Sequence, residues 1–242
     1  MNTPDAGPSD NHRGSETWLR SWTHLRVDRR SPAYCRVTFD HPPINAITAT
    51  TVLELAELVG LIEEDSDLNV VVFDSVNPDF YLVHYDTEPD SGRTPLPVAS
   101  NITHTWLDLL MRLSRAPVVS IAQVRGRVRG PGSGFLLACD MRFASRENTL
   151  VGQFEAGTAA VPGGGGMVRL SRLVGRGRAL EILLLADDLD GPLAEQYGYV
   201  NRAILDHRLE DEVEAIAGRL ARFDHDVIVR TKSCVDWGAQ DG

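Results

Sequence analysis

The chain has 242 residues and a formal net charge of −10. That length suits one large core or two small ones, and the charge has the wrong sign for a sequence-independent nucleic-acid binder, which needs a basic face. Cys35, Cys139 and Cys234 are widely spaced with no CxxC pair, which fits neither a disulfide framework nor a zinc site and points to a reducing compartment. No apolar run reaches membrane-spanning length and the N-terminus lacks the apolar segment of a signal peptide, so a cytoplasmic protein without a membrane or nucleic-acid partner is expected.

In chain order, Met1 to about Arg20 is polar and rich in Pro, Gly, Ser and Asn, the composition of a disordered tail whose end Trp18 and Trp22 tie down. Tyr34 to Phe39 alternates as a half-buried strand, stopped by His41-Pro42-Pro43. Thr50 or Thr51 is expected to cap a helix to about Glu64, with Val52, Leu55, Val59 and Ile62 at helical spacing. Val70 to Phe73 is a continuous apolar run, the mark of a strand buried on both faces. A loop from Asp86 to Pro97 precedes a helix over Ile102 to Leu113, which ends before Pro117. Strands are predicted at Val118–Ala122, Met141–Ala144 and Thr149–Gly152, and helices at Ser133–Ala138, Gly166–Leu173 and Arg178–Leu185. The tail carries a helical stripe of Leu209, Val213, Ile216, Ala217, Leu220 and Phe223. This alternation of strands and helices predicts a layered α/β core with a helical C-terminal part.

The chemistry-bearing stretch is Gly126 to Gly166. Glycines surround Pro131, and four more follow Pro162, with one carboxylate, Glu155, between the clusters. Glycine-dense backbone lets a ligand approach closely and leaves main-chain N–H groups open to it. Ser133 is not a nucleophile elbow, because Pro131 and Phe135 stand where GxSxG requires glycines. Gly163 to Gly166 lacks the Lys-Ser/Thr of a phosphate-binding loop.

From about Val27 to Lys232 the chain resembles the crotonase, or enoyl-CoA hydratase/isomerase, family. The runs that carry the likeness come in the family's order: Asp40-His41-Pro42-Pro43-Ile44-Asn45-Ala46, Tyr81-Leu82-Val83-His84-Tyr85-Asp86, Ala116 to Gly126, Ala138-Cys139-Asp140-Met141-Arg142-Phe143-Ala144-Ser145, Gly152-Gln153-Phe154-Glu155 with Val161-Pro162-Gly163, and Tyr197-Gly198-Tyr199-Val200-Asn201. The resemblance implies a spiral of repeated strand-strand-helix units over residues 26–190 after a tail at 1–25. It also implies a helical C-terminal region over 191–242, shorter than usual for the family, that packs homotrimers or hexamers. It implies an acyl-CoA thioester as ligand, no other cofactor and no metal. Two backbone N–H groups would stabilise a thioester enolate while carboxylates move protons.

Carried over residue by residue, the resemblance makes Glu155 the proton-transferring glutamate, Tyr85 the first oxyanion donor, and Asn45, Ala46 and Arg125 contacts to CoA. Arg127 and Arg129 alternate with Arg125 and share the phosphate-binding expectation. His84 and Asp86 are accessory acid/base candidates flanking Tyr85. Two positions depart from the pattern. Gly134 stands where the family has its other glutamate, and Pro131, which has no N–H, where it has the second oxyanion donor, leaving Gly130 or Gly132 to present an N–H instead. The expected activity is therefore isomerase-type proton transfer by one glutamate. The alternatives are a member that binds acyl-CoA or acts as a scaffold with impaired chemistry, and a divergent hydratase that recruits Asp86.

Overall fold

The structure is a computed structural model that describes residues 18, 20–86 and 101–238. Its frame is an eight-stranded sheet. β1 (Leu25–Ser31) forms an antiparallel hairpin with β2 (Tyr34–Phe39), and β2 runs parallel to β3 (Val70–Ser75) after the crossover helix α1 (Ala49–Glu64). β4 (Phe80–Leu82) is a short strand that pairs with the end of β5 (Val119–Arg129), and β3 pairs with its beginning; α2 (Asn101–Arg115) lies between them in sequence. β5 leads through the eight-residue α3 (Pro131–Ala138) into β6 (Met141–Gly152). The chain then makes a 3₁₀ turn at Glu155–Thr158, two helices α4 (Gly166–Val174) and α5 (Arg176–Leu185), and the short β7 (Leu189–Asp190). After α6 (Gly191–Tyr197), β8 (Arg202–Ile204) adds parallel to β6, and α7 (Asp206–Leu220) and α8 (His225–Gly238) follow. From Gly191 to Gly238 the chain is thus mostly helical, with β8 returning to the sheet.

The period-two pattern of β3 explains the layering. Val71 and Phe73 point into the larger core with Leu55, Leu58 and Ile62 of α1, Trp106 and Leu109 of α2, and Phe135 and Leu136 of α3. Val70 and Val72 point to the other face, which Leu209, Val213 and Ala217 of α7 and Ile228 of α8 cover. A strand covered on both faces must be apolar throughout, and Val70 to Phe73 are all fully buried.

Local sequence chemistry sets the element ends. The cap of α1 is Thr48, earlier than Thr50 or Thr51: its hydroxyl accepts from the Thr51 N–H at 3.3 Å while the Thr51 hydroxyl accepts from the Thr48 N–H at 3.2 Å, a reciprocal capping box. The two strands expected at Met141–Ala144 and Thr149–Gly152 are one. Its register against β5 shifts between Val124↔Ala144 and Gly126↔Thr149, so extra residues bulge out of a continuous ladder. Trp18 packs into the core and donates to Asp65 at 3.1 Å, as the tie-down reading expects. The rest of the expected tail to residue 17, and the expected loop beyond Asp86, lie outside the described residues. Among the described residues no helix is long and apolar enough to cross a membrane.

The last helix is locked beneath the site-bearing strands. Lys232 of α8 donates to the carbonyls of Ala116 and Val118 at 3.0 and 2.9 Å and to Asp140 at 2.8 Å. Asp140 also accepts from the backbone N–H and the hydroxyl of Ser120, both at 2.8 Å. That network fixes where β5 begins relative to the junction of α3 and β6.

Candidate active site around Glu155

Glu155 opens the 3₁₀ turn that follows β6. The turn is closed by its own carbonyl, which accepts from the Thr158 hydroxyl at 2.9 Å and from the Ala160 N–H at 2.9 Å, with Ala159 left-handed at φ 58. The side chain is buried at 9% exposure, and among the described residues no Lys, Arg or His pairs with it. Burial raises its carboxyl above the ordinary carboxylate range, against a smaller lowering from a backbone hydrogen bond. An acid held this way takes up and releases a proton closer to neutral pH.

Gly130 forms one wall. Its φ of 53 belongs to glycine, and a Cβ there would come within 3.3 Å of Glu155 Oε1 and 3.0 Å of the Phe154 ring. A side chain at 130 would crowd the carboxylate. Two further segments converge here. The Gly132 N–H donates to the Val83 carbonyl at 3.1 Å, and His84, exposed, meets the Phe154 ring edge-on at 6.1 Å. The expected accessory residue His84 is therefore beside the Glu155 turn.

Tyr85 bridges in parallel to Ile47: the Ile47 N–H donates to His84 O and the Asp86 N–H to Ile47 O, both at 2.9 Å. In a parallel bridge the N–H of the middle residue faces the opposite edge, so the Tyr85 N–H is turned away from Ile47. Its ring packs edge-on against Trp106 at 6.0 Å. Asp86 is half-buried beside it.

The expectation for Gly132 is corrected. Its N–H is spent on Val83, and that of Gly130 on Gly152 at 3.3 Å. A Cβ on Gly132 would collide with the Leu82 carbonyl, so the packing there is backbone on backbone. Pro131 is the first residue of α3, a position that suits its fixed φ and missing N–H. Of the three expected backbone positions, Tyr85 alone keeps an outward N–H.

Gly134 lies one helical turn into α3, where the Gly164 carbonyl oxygen fills the place of a side chain. A Cβ at 134 would be closer to that oxygen than real Cβ atoms come, and 3.1 Å from the Gly164 carbonyl carbon. The absence of a second glutamate is built into the packing, because the glycine-rich loop has closed over its position.

The residues expected to contact CoA have partners within the fold. The Asn45 side chain is inside the fold: it accepts from the His41 N–H at 2.8 Å and donates to Ser75 Oγ at 2.8 Å and to the carbonyls of Phe80 and Tyr81 at 3.1 Å. It pins the β2–α1 loop to β4. Ala46 is buried and its carbonyl accepts from or faces His41 Nδ1 at 2.9 Å. Arg125 donates to the Asp206 carboxylate at 2.9 Å and to its carbonyl at 3.1 Å. Arg127 stacks on Phe80, and Arg129 makes a two-pronged ion pair with Asp188. Arg125 and Arg129 are thus paired with carboxylates of the fold.

One residue that sequence reading passed over sits against the carboxylate. An end of the Gln153 amide lies 3.2 Å from both Glu155 oxygens. Its sequence signal was only its nearness to the acid; the turn at Phe154, with φ −95 and ψ −2, is what brings the two side chains together. A separate cavity of about 720 Å³ between α4 and α8, lined by Leu137, Arg169, Phe223, Ile228 and Lys232 among others, contains none of these residues. Among the described residues no three metal-ligating side chains converge.

Comparison with known proteins bears on this geometry. The model of the enoyl-CoA hydratase/isomerase family matches residues 29–241. The short-chain-enoyl-CoA hydratase of Clostridium acetobutylicum is 29% identical over 84% of this chain and 78% of its own. A solved protein from Streptomyces avermitilis, provisionally named an enoyl-CoA hydratase, is 40% identical with a TM-score of 0.83 over 91% of this chain and 80% of its own. A Thermobifida fusca protein of the same provisional name, solved in complex with CoA, is 25% identical with a TM-score of 0.79, covering 88% of this chain and 84% of its own.

Proposed function

The chain belongs to the enoyl-CoA hydratase/isomerase family, and from that premise we propose that it shifts the double bond of an enoyl-CoA thioester, with Glu155 as the one carboxylate that removes and returns the proton. The observation that carries this is the combination of a buried Glu155, which no cationic side chain among the described residues neutralises, with a Gly134 position that has no room for a second acid. Hydration in the manner of two carboxylates needs both to hold one water; a 1,3-proton shift needs one.

The ionised Glu155 takes a proton from the carbon between the thioester carbonyl and a 3,4 double bond. The C–H electrons form a π bond between the first and second carbons as the carbonyl pair moves onto the thioester oxygen, giving a dienolate whose charge the Tyr85 N–H stabilises. When the carbonyl re-forms, that π pair becomes the new 2,3 bond and the old 3,4 pair takes up the proton. The protonated Glu155 then returns its proton to the fourth carbon, so atoms and charge balance without water or any cofactor beyond the CoA thioester itself. With Pro131 in place of a donor and the Gly132 N–H spent on Val83, the enolate has one backbone donor fewer. Such a loss costs about 10²–10³ in kcat, so turnover is expected to be slow. We also take the protein to be a cytoplasmic homotrimer or hexamer, which light scattering on the purified chain would test.

Incubation with 3-enoyl-CoA should yield 2-enoyl-CoA, with Glu155→Gln removing the activity. Formation of 3-hydroxyacyl-CoA from 2-enoyl-CoA, or undiminished turnover in Glu155→Gln, would overturn the proposal. The committed N–H of Gly132 favours one other reading, a member that binds acyl-CoA without turning it over. It predicts tight CoA-thioester binding by both wild type and Glu155→Gln, and no product from either.

A further inference from the structure

Behind Glu155 runs a buried series of polar side chains that the reaction above does not use. Tyr199, in the turn after α6, shares a short hydrogen bond with Ser133 of α3. Ser133 Oγ lies 2.9 Å from one end of the Gln153 amide, and the other end lies 3.2 Å from both oxygens of Glu155. Tyr199 and Ser133 are fully buried and Gln153 is 1% exposed.

Valence fixes the direction of every bond in the series. An ionised carboxylate only accepts, so the amide end facing Glu155 is the NH₂ and the end facing Ser133 is the carbonyl oxygen. That oxygen requires the Ser133 hydroxyl to donate, which leaves Ser133 only an acceptor for Tyr199, and the phenol must donate to it. The phenol stays protonated to do so: burial first of all pushes its pKa up to about 12.

The series is also held rigidly. The Gln153 amide packs against Gly166, filling the space a Cβ there would occupy. The Tyr199 carbonyl accepts from Arg142 Nε at 2.9 Å, and the same guanidinium donates to Cys139 O at 2.7 Å. The charged and titratable groups facing the series are Arg142 behind Tyr199 and Glu155 itself at its end, with His84 across the Phe154 ring.

We propose that Gln153, Ser133 and Tyr199 are positioning residues, a one-way donor chain that keeps the Glu155 carboxylate ionised and aimed for proton removal. The inference rests on the reading of Glu155 as the proton-transferring group. Donation to the charged form of an acid favours that form, so the chain opposes the effect of burial at Glu155. Each link is buried and satisfied, the arrangement in which such a network is stiffest.

The test is the ¹³C carboxyl titration of Glu155, assigned by its disappearance in Glu155→Gln, in the ligand-free protein. In Gln153→Leu the Glu155 titration should move up by about one pH unit, the shift expected for losing one hydrogen bond to a charged group. In Tyr199→Phe it should move the same way by a smaller step. With 3-enoyl-CoA the acid limb of kcat should move with it while KM stays put. Unchanged Glu155 titrations in both variants would overturn the proposal, and a shift confined to Gln153→Leu would remove Ser133 and Tyr199 from it. If Gln153→Leu does not fold, Tyr199→Phe decides alone: lower thermal stability with no titration shift is a structural role only. Because the titration needs no substrate, absence of isomerase turnover in the wild type would count against the proposed reaction without touching this result.

Discussion

Alanine at position 134 sets two effects of opposite sign against each other. Inside a helix, Gly→Ala ordinarily stabilises by about 0.5–1 kcal/mol, because the unfolded chain loses freedom. At Gly134 the added Cβ would meet the Gly164 carbonyl inside any real contact distance. The obstacle is backbone, which cannot rotate aside as a side chain can. Nor can Gly164 retreat freely, since its own Cβ position lies 2.9 Å from Pro131 Cα. Forced overpacking of this kind costs about 1–3 kcal/mol, so the net expectation is a loss of about 1–2 kcal/mol. For a chain of this size that is a Tm lower by roughly 2–8 °C. Gly218 of α7 supplies the control, because a Cβ there meets nothing within 4 Å. Gly218→Ala should raise Tm where Gly134→Ala lowers it. Thermal unfolding of the two variants side by side is the assay. A Gly134→Ala protein as stabilised as Gly218→Ala would refute the reasoning, and with it the claim that packing excludes a second acid. Gly134→Glu, which restores the residue type that the resemblance expects, should be less stable still.

Three other outcomes follow from the same contacts. Because burial raises the Glu155 carboxyl, its contribution to stability is full below the ordinary carboxylate pKa and is lost as pH rises through the higher folded value. Glu155→Gln should therefore gain Tm relative to wild type as pH rises above about 4.5, and a difference that does not change with pH would contradict the burial argument. Lys232→Met strips three hydrogen bonds, at 2.8 to 3.0 Å, from Ala116, Val118 and Asp140 and leaves a part-buried carboxylate without its cation. Denaturant unfolding should register a loss of about 3 kcal/mol, and a midpoint within experimental error of wild type would show α8 to be held otherwise. Asn45→Ala should cost about 2–3 kcal/mol, since its four hydrogen bonds hold a residue at φ 54; a stability equal to wild type would return the side chain to the surface, where a ligand contact is possible.

How much of this was legible in the sequence depended on the range over which each signal acts. The alternation of Tyr34 to Phe39 matched β2 at both ends, although the strand is not half-buried as expected but covered on both faces, with Tyr34 and Arg36 also buried. The unbroken apolar run of Val70 to Phe73 announced a strand covered on both faces. Those patterns are written by the next residue or two. The arginines of β5 are the opposite case. Their alternation is visible, but Arg125 is neutralised by a residue 81 positions away and Arg129 by one 59 positions away. A pattern of three cations reads as an anion site until the fold supplies anions to two of them. β4, β7 and β8 were missed because strands of two or three residues carry too little period to register, and they exist only because β5 and β6 offer them edges.

The glycines divide along the same line. Their density between Gly126 and Gly166 suggested backbone laid open to a ligand, yet close approach of chain to ligand and of chain to chain select glycine for one and the same steric reason. Gly132 and Gly134 each meet another stretch of backbone, at Leu82 and Gly164, and Gly130 alone of the three meets the carboxylate. Composition cannot distinguish these uses. What does distinguish them is what a β-carbon would strike. By that criterion Gly132 and Gly134 serve chain packing while Gly130 borders the one acid, and in the proposed reaction the backbone N–H of Tyr85 is what is left to meet the anion.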